Sequence, residues 1–259
     1  TPSITEEEYK CAIDRIKKHI AEGDTYQVNY TLKLGKSMKD NGFRLFTDLA
    51  RSQGTGYPAY INTGEYVICS ASPELFFSMH GERIITRPMK GTAARGHLVD
   101  EDREQGDWLH KSAKNRAENL MIVDMVRNDL GKVASTGSVQ VERLFDVEKY
   151  PTVWQMTSTV TANSTASISE IITALFPCAS ITGAPKANTM KIICDLESQP
   201  RNIYTGSIGY IRPGRKVQFN VAIRTVLIDR KRSLAEYGVG GGIVCCLLYT
   251  SPSPRDRYI

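Results

Sequence analysis

Lys90 sits in the stretch ITRPMKGTA (residues 85–93), between an apolar run and a Gly-Thr pair. A neutral lysine amine can attack an electrophilic carbon and leave again, which divides one difficult displacement into two easier steps. Such an amine needs a pKa lowered toward about 7–8 by burial or a nearby positive charge. The other reading of the same residues is a solvated lysine at a strand end. Glu74 in SASPELFF is open in the same way: a proton donor, or a surface acid where a strand begins. Glu118 in KNRAENLMIVD is either an oxygen ligand for a hard cation or the i+4 partner of Lys114 on a wet helix face, worth about 0.2–0.5 kcal/mol. Arg224 and Asn220 fall on the polar side of FNVAIRTVLI, where a guanidinium fork would suit a carboxylate. Gly183 and Ala184 in ITGAPK, and Gly240 and Gly241 in YGVGGGIV, could present backbone N–H groups to a ligand, or could mark a bulge or turn.

Composition narrows the classes. The chain has 259 residues, 41% hydrophobic and 24% charged, which is ordinary for a soluble globular protein. Its net charge of +5 comes from scattered bases among acids, with no basic arm carrying interleaved aromatics, so nucleic-acid binding is not expected. A cationic pocket for an anionic metabolite suits the balance better. The six cysteines form no C-x-x-C pair and read as reduced thiols of a cytoplasmic protein. His19, His80, His97 and His110 lack zinc-ligand spacing. No apolar run approaches the ~18 residues of a membrane span. Thr1 begins no signal peptide and no initiator Met is present, so a fragment of a longer chain is expected.

The elements that would carry these residues follow from periodicity. ITEEEYKCAIDRIKKHIAEGD predicts an amphipathic helix capped by Thr5, striped by Tyr9, Ile13, Ile16 and Ile20, and ended at Gly23. YQVNYTLKL predicts a half-buried strand with Tyr26, Val28, Tyr30 and Leu32 on one face and Gln27, Asn29, Thr31 and Lys33 on the other. Apolar runs between Glu65 and Ile85 predict strands joined at HGER. A helix is expected from Asp107 to Asn128 with a stop at Gly131, a second from Ser167 with Glu170 completing a capping box, and a third opening at Pro185. GSIGYI, RPGRK and VQFNVAIRTVLI read as a hairpin that LAEYGVGGGIV extends into a meander. Antiparallel sheets with helices on one face make an α+β fold, not a doubly wound nucleotide fold.

Taken together, YQVNYT, SASPELFF, ITRPMKGTA, KNRAENLMIVDMVRNDLGKVA, YPTVWQMTSTV, PCASITGAPKANTM, IYTGSIGYI, FNVAIRT and YGVGGGIV resemble a known family in the order it shows them. It is that of the chorismate-utilising enzymes: anthranilate, aminodeoxychorismate, isochorismate and salicylate synthases. The resemblance covers nearly the whole chain to Val244. It implies a layered α/β/β/α fold of orthogonally packed antiparallel sheets, in one catalytic domain over residues 1–244. Within the family the likeness is strongest to the aminodeoxychorismate-forming branch. That chemistry replaces the C4 hydroxyl of chorismate with an amino group and keeps the enolpyruvyl ether, for para-aminobenzoate and folate synthesis. Its ammonia comes from a glutamine amidotransferase subunit. Anthranilate synthesis, or a non-catalytic fragment that binds only the amidotransferase, are the competing expectations.

On this resemblance, Lys90 adds at C2 of the ring and is expelled when ammonia adds at C4. Anthranilate synthases carry a small residue, usually Ala, at that position. Glu74 protonates the departing hydroxyl. Gln27 stands where water-using relatives have a lysine base, and a neutral amide cannot serve as that base. Glu118 is a ligand of a magnesium ion that bridges a substrate carboxylate. Thr92, Thr182, Gly183, Ala184, Tyr204, Arg224, Gly240 and Gly241 are the remaining substrate-binding positions. Gln155 occupies a position held by histidine in anthranilate synthases. Asp124 and the Arg127-Asn128-Asp129 cluster are expected to be scaffold.

The pattern breaks after Val244. CCLLYTSPSPRDRYI has Asp256 as its only acid, where the family has a helix with two acidic residues that complete the magnesium site. Residues 245–259 are therefore expected to be a disordered or non-native tail, and the chain as written to be weakly active.

Overall fold

The computed structural model describes residues 1–39, 42–54 and 56–244; the expectation about the tail lies outside the described residues. In chain order, α1 (Glu6–Ala21) is followed by β1 (Gln27–Ser37), α2 (Gly42–Gln53), β2 (Tyr57–Asn62), β3 (Tyr66–Ser72), β4 (Leu75–His80), β5 (Arg83–Arg87) and β6 (Met89–Ala94). Next come α3 (Val99–Lys111), α4 (Ala113–Gly131), β7 (Gln140–Lys149), β8 (Val153–Asn163), α5 (Ile168–Leu175) and β9 (Gly183–Ala184). The chain continues with α6 (Lys186–Leu196), β10 (Ser207–Arg212), β11 (Lys216–Val221), β12 (Thr225–Asp229) and β13 (Leu234–Val244). The ladders of β1 with β13 and β9, and of β8 with β5, β6 and β7, are antiparallel. Helices beside antiparallel sheets make the fold α+β, as the periodicity predicts.

The described residues gather into two compact units. The first holds Thr1–Pro73, Ile181–Ile208 and the chain from Asn220; the second holds Glu74–Ser180 and Gly209–Phe219. The sheet of the first unit runs β2-β3-β12-β13-β1-β9. The other sheet runs β10-β11-β4-β5-β8-β6, with β7 also on β8.

In the first unit, α1 begins where predicted. Thr5 Oγ1 accepts from Glu8 N–H (3.2 Å) and Glu8 Oε2 accepts from Thr5 N–H (2.7 Å), a reciprocal cap that satisfies two end donors. Its apolar stripe packs on Val28, Tyr30 and Ile243 with Ile192 of α6. Full burial of Ile16 alone is worth about 1.5–3 kcal/mol. β1 departs from the predicted half-buried strand, because its polar face is buried as well. Asn29 and Thr31 are covered by Arg201 and Glu197: Arg201 Nη2 donates to Asn29 O (2.7 Å), and Thr31 N–H and Oγ1 both donate to Glu197 Oε1 (2.9 Å each). Tyr26, expected on the apolar face, is 65% exposed just before the strand starts. The stretch VQFNVAIRTVLI is not one strand. β11 ends at Val221, Arg224 adopts φ +50°, and β12 starts at Thr225 in a different sheet.

In the second unit, HGER does join β4 and β5, and Ser167 with Glu170 does form the capping box of α5. The helix expected from Asp107 to Asn128 is two helices. Ser112 separates them, and its Oγ accepts from Asn115 N–H (3.4 Å) and Nδ2 (2.8 Å), which caps α4. No glycine or proline interrupts the stretch at this break, so only the cap marks it. Leu109, Met156, Phe145 and Ala93 form a buried cluster beneath α3 and β8.

Candidate active site

In the second unit, Lys90 lies on an irregularity of the β6–β8 ladder. Met89 pairs with Thr157 and Thr92 with Gln155, so β6 has one residue more than β8 between these pairs. This is a β-bulge at Lys90 and Gly91. Gly91 takes φ +100°, and a Cβ there would stand 3.1 Å from Asn115 Cβ and 3.2 Å from Met156 Cβ, so the motif's glycine is fixed by backbone and space together. Side chains hold the bulge where the ladder does not. Gln155 Nε2 donates to Gly91 O (2.7 Å), Thr92 Oγ1 donates to Gln155 Oε1 (3.0 Å), and Asn119 Nδ2 donates to Lys90 O (3.2 Å). Glu74 is 3% exposed, and its Oε1 accepts from the N–H of Met89, the residue before Lys90 (3.4 Å). Lys90 and Thr92 thus lie on β6, and the Glu74 carboxylate reaches that strand at its first residue. Glu118 is half-buried on α4, one residue before Asn119.

The loop after β6 has an anchor that the motifs do not reveal. Arg95 Nε and Nη2 donate to the two oxygens of Asp102 (2.5 and 2.7 Å), which also accept from Gly96 N–H and Trp154 Nε1. The Arg95 guanidinium, helped by Gly96, Lys149 and Trp154, holds the Asp102 carboxyl well below the usual carboxylate range, against the opposing effect of desolvation.

In the first unit, Gln27, Thr182, Gly183 and Ala184 are brought together. Gln27 pairs with Ala184 and Val28 with Gly183, and Asn29 N–H donates to Thr182 O (2.7 Å). Gly183 has φ +148°, and a Cβ there would lie 2.6 Å from Thr189 Cγ2 and closer still to the Gln27 carbonyl oxygen. The Gln27 side chain is fully buried, and neither its Nε2 nor its Oε1 has a hydrogen-bond partner among the described residues. An unmet buried amide costs about 1–3 kcal/mol, so this one points to a ligand or water rather than to packing. On the other side of β1, Thr31 pairs with Gly240 and Tyr30 with Gly241. The ladder of β12 with β13 stops at Tyr237, so the glycine run has β1 alone as strand neighbour among the described residues. The Tyr204 ring packs on Gly238, where a Cβ would come within 2.6 Å of Cδ2, and with Tyr30, Glu197 and Arg201 it lines a cavity of about 20 Å³, room for one water.

Arg224 needs correction. It does not share a strand face with Asn220 but sits on the link between β11 and β12, where Nη1 donates to Gln53 Oε1 of α2 and its carbonyl accepts from Ala71 N–H (3.0 Å). Asn220 is taken up by structure, donating to Tyr57 O (2.9 Å) and accepting from Ile208 N–H (3.3 Å). Asp124 pairs with Arg127 on the surface (2.9 Å).

A magnesium site is not complete among the described residues. One group of three potential ligands gathers within 4.8 Å there, His19, Glu22 and Asp24 at the end of α1, and Glu118 does not belong to it. No helix of the described residues is long and apolar enough to cross a membrane.

These features define an α+β protein in which Lys90 and Thr92 stand on one sheet and Gln27 lies buried on the other. Residues 1–245 match the family described as chorismate binding enzyme, and the chain belongs to that family. Aminodeoxychorismate synthase component 1 of Bacillus subtilis is 38% identical over 239 residues, which cover 92% of this chain and 51% of that protein. The protein of that name from Salmonella typhimurium is 40% identical over 244 residues, covering 93% and 53%. Anthranilate synthase component I from Streptococcus pneumoniae superposes with a TM-score of 0.86 at 28% identity, covering 95% of this chain and 54% of that one. The chain thus spans about half the length of the relatives it matches.

Proposed function

We propose that this chain is the catalytic part of an enzyme that converts chorismate and ammonia to 4-amino-4-deoxychorismate and water. The observation that carries the reading is Lys90 on a side-chain-braced bulge, with the buried Glu74 carboxyl hydrogen-bonded to the adjoining backbone. The Lys90 amine adds at C2, the ring double bonds shift, and the C4–O bond breaks as Glu74 gives its proton to the departing hydroxyl, releasing water. Ammonia then adds at C4, the double bonds return, and Lys90 leaves. The proton lost by the attacking nitrogen replaces the one Glu74 gave up. The division into two displacements suits a poor leaving group, and the proton donor contributes about 10²–10⁴ in rate.

Gln27 supports ammonia over water as second nucleophile, because a neutral amide can orient ammonia by hydrogen bonds but cannot deprotonate water. Glu118 would contribute one oxygen ligand to a magnesium ion, which would supply positive charge toward an anionic substrate, and a single carboxylate holds that ion weakly. Thr92, Thr182, Tyr204, Arg224 and the Gly183 and Gly240–Gly241 backbones are the proposed substrate contacts. The ammonia is proposed to come from a glutamine amidotransferase partner. A reducing, cytoplasmic setting is supported by Cys11, Cys69, Cys178 and Cys194 being free thiols.

The test is incubation with chorismate, ammonium and magnesium, with chromatography of the products. Aminodeoxychorismate that disappears in Lys90→Ala supports the reading. Anthranilate as the product, or amination that persists in Lys90→Ala, overturns it.

A further inference from the structure

The bulge under Lys90 is gripped by a residue to which neither the motifs nor the reaction above gives a task. Asn119 of α4 is buried, and its Nδ2 donates to the Lys90 carbonyl (3.2 Å). Its Oδ1 accepts from Ser158 Oγ of β8 (2.5 Å), and Ser158 Oγ accepts from Phe145 N–H (3.1 Å). Phe145 sits at a second irregularity, in β7, with φ +63°, and its carbonyl lies 3.1 Å from His110 Nδ1.

The order of donors fixes the amide. Ser158 Oγ accepts from Phe145 N–H with one lone pair and gives its own proton to Asn119 Oδ1, because the Lys90 carbonyl on the other side can only accept. That leaves the Asn119 NH₂ facing Lys90 O; the flipped amide would set two acceptors against each other. The carbonyl of a residue inside a bulge is released from regular ladder pairing, and a buried carbonyl without a donor is unfavourable. We propose that Asn119, oriented by Ser158, is a positioning residue for Lys90: it selects one backbone conformation of the bulge and so the direction from which the amine is presented. The proposal rests on the reading of Lys90 as the nucleophile.

The substitutions that test it separate the two arms of the amide. Asn119→Asp keeps an acceptor for Ser158 and places an oxygen against the Lys90 carbonyl, Asn119→Leu removes both arms, and Ser158→Ala removes the orienting donor alone. Each is made in the full-length protein, beside Lys90→Ala, and assayed for kcat, chorismate KM and melting temperature. A displacement of the order of 1 Å at a reacting centre costs about 10²-fold. The expected result is that Asn119→Asp and Asn119→Leu lose about 10²-fold in kcat with chorismate KM nearly unchanged, and Ser158→Ala loses less. Loss should follow whether Lys90 O keeps its donor, not the melting temperature. Wild-type kcat in Asn119→Asp, or kcat falling in step with melting temperature across the set, would overturn the proposal while leaving the function standing. Should Asn119→Asp fail to fold, Ser158→Ala decides: reduced kcat at unchanged KM supports the proposal, unchanged kcat sinks it. Full activity in Lys90→Ala overturns the functional reading and this inference with it.

Discussion

Replacement of Gly183 by alanine tests how tightly β9 is set against β1. The new Cβ would fall 2.6 Å from Thr189 Cγ2 and 2.8 Å from the carbonyl carbon of Gln27, and real Cβ atoms essentially never come within 3.0 Å of either. The Gln27 backbone is held in its ladder with Val244 and Ala184, so relief comes from separating the two-residue strand. Separation would break Tyr26 N–H to Ala184 O (2.7 Å), Asn29 N–H to Thr182 O (2.7 Å) and Thr25 Oγ1 to Ala184 O (2.9 Å). Three hydrogen bonds at about 0.5–1.5 kcal/mol each amount to roughly 1.5–4.5 kcal/mol, a shift of several degrees in melting temperature for a chain of this size. Gly64→Ala is the control. Gly64 has φ +90° but open space where a Cβ would go, so it registers the backbone preference without the collision, about 1–2 kcal/mol. Thermal and urea melts of both variants, with calorimetric titration by chorismate, give the comparison. The reasoning fails if Gly183→Ala melts with or above Gly64→Ala and binds chorismate as wild type does.

Glu74→Gln should lower kcat by about 10²–10⁴ with little change in chorismate KM, because only proton donation is lost; steady-state kinetics at saturating ammonium check this. Gln27→Leu should raise stability in urea melts by roughly 1 kcal/mol, since it removes an unmet buried amide, while ammonia-dependent turnover falls. Asp102 is depressed in the folded state, so its contribution to stability is present above the unfolded value near 3.9 and is lost as pH falls through and below it. The melting temperature of Asp102→Asn should therefore lie below wild type by a constant margin from pH 7 to 5, and the margin should narrow steadily as pH falls below about 4.

The α+β class and the ends of α1 and α5 were legible because local chemistry decides them: caps, an apolar stripe, a polar turn. The break at Ser112 was not, since no glycine or proline interrupts the stretch from Asp107 to Asn128. The placement of Arg224 failed for a related reason. The spacing of four puts Asn220 and Arg224 on one face of FNVAIRTVLI as text, and nothing in an arginine announces a left-handed backbone. Lys90, Glu74 and Gln27 were chosen by motif, and their settings on a bulge, buried beneath the adjoining backbone N–H and as an unmet amide among the described residues appear only with the fold. Glu197 and Arg201 were missed because acid and base four apart read as a wet surface pair. Only tertiary structure turns that spacing into a clamp on β1. Asn119 was hidden beside Glu118, the residue that the motif brought forward.

Because the Gln27 carboxamide is sealed from solvent with its hydrogen-bonding capacity unspent among the described residues, the folded protein carries its own reporter. Any small molecule that engages it preferentially in the native state raises the melting temperature by linkage, by about 2.7 kcal/mol of added stability at a hundred times its dissociation constant. A thermal-shift screen of cyclic dicarboxylates and amines would therefore rank candidate substrates and inhibitors without any need for turnover.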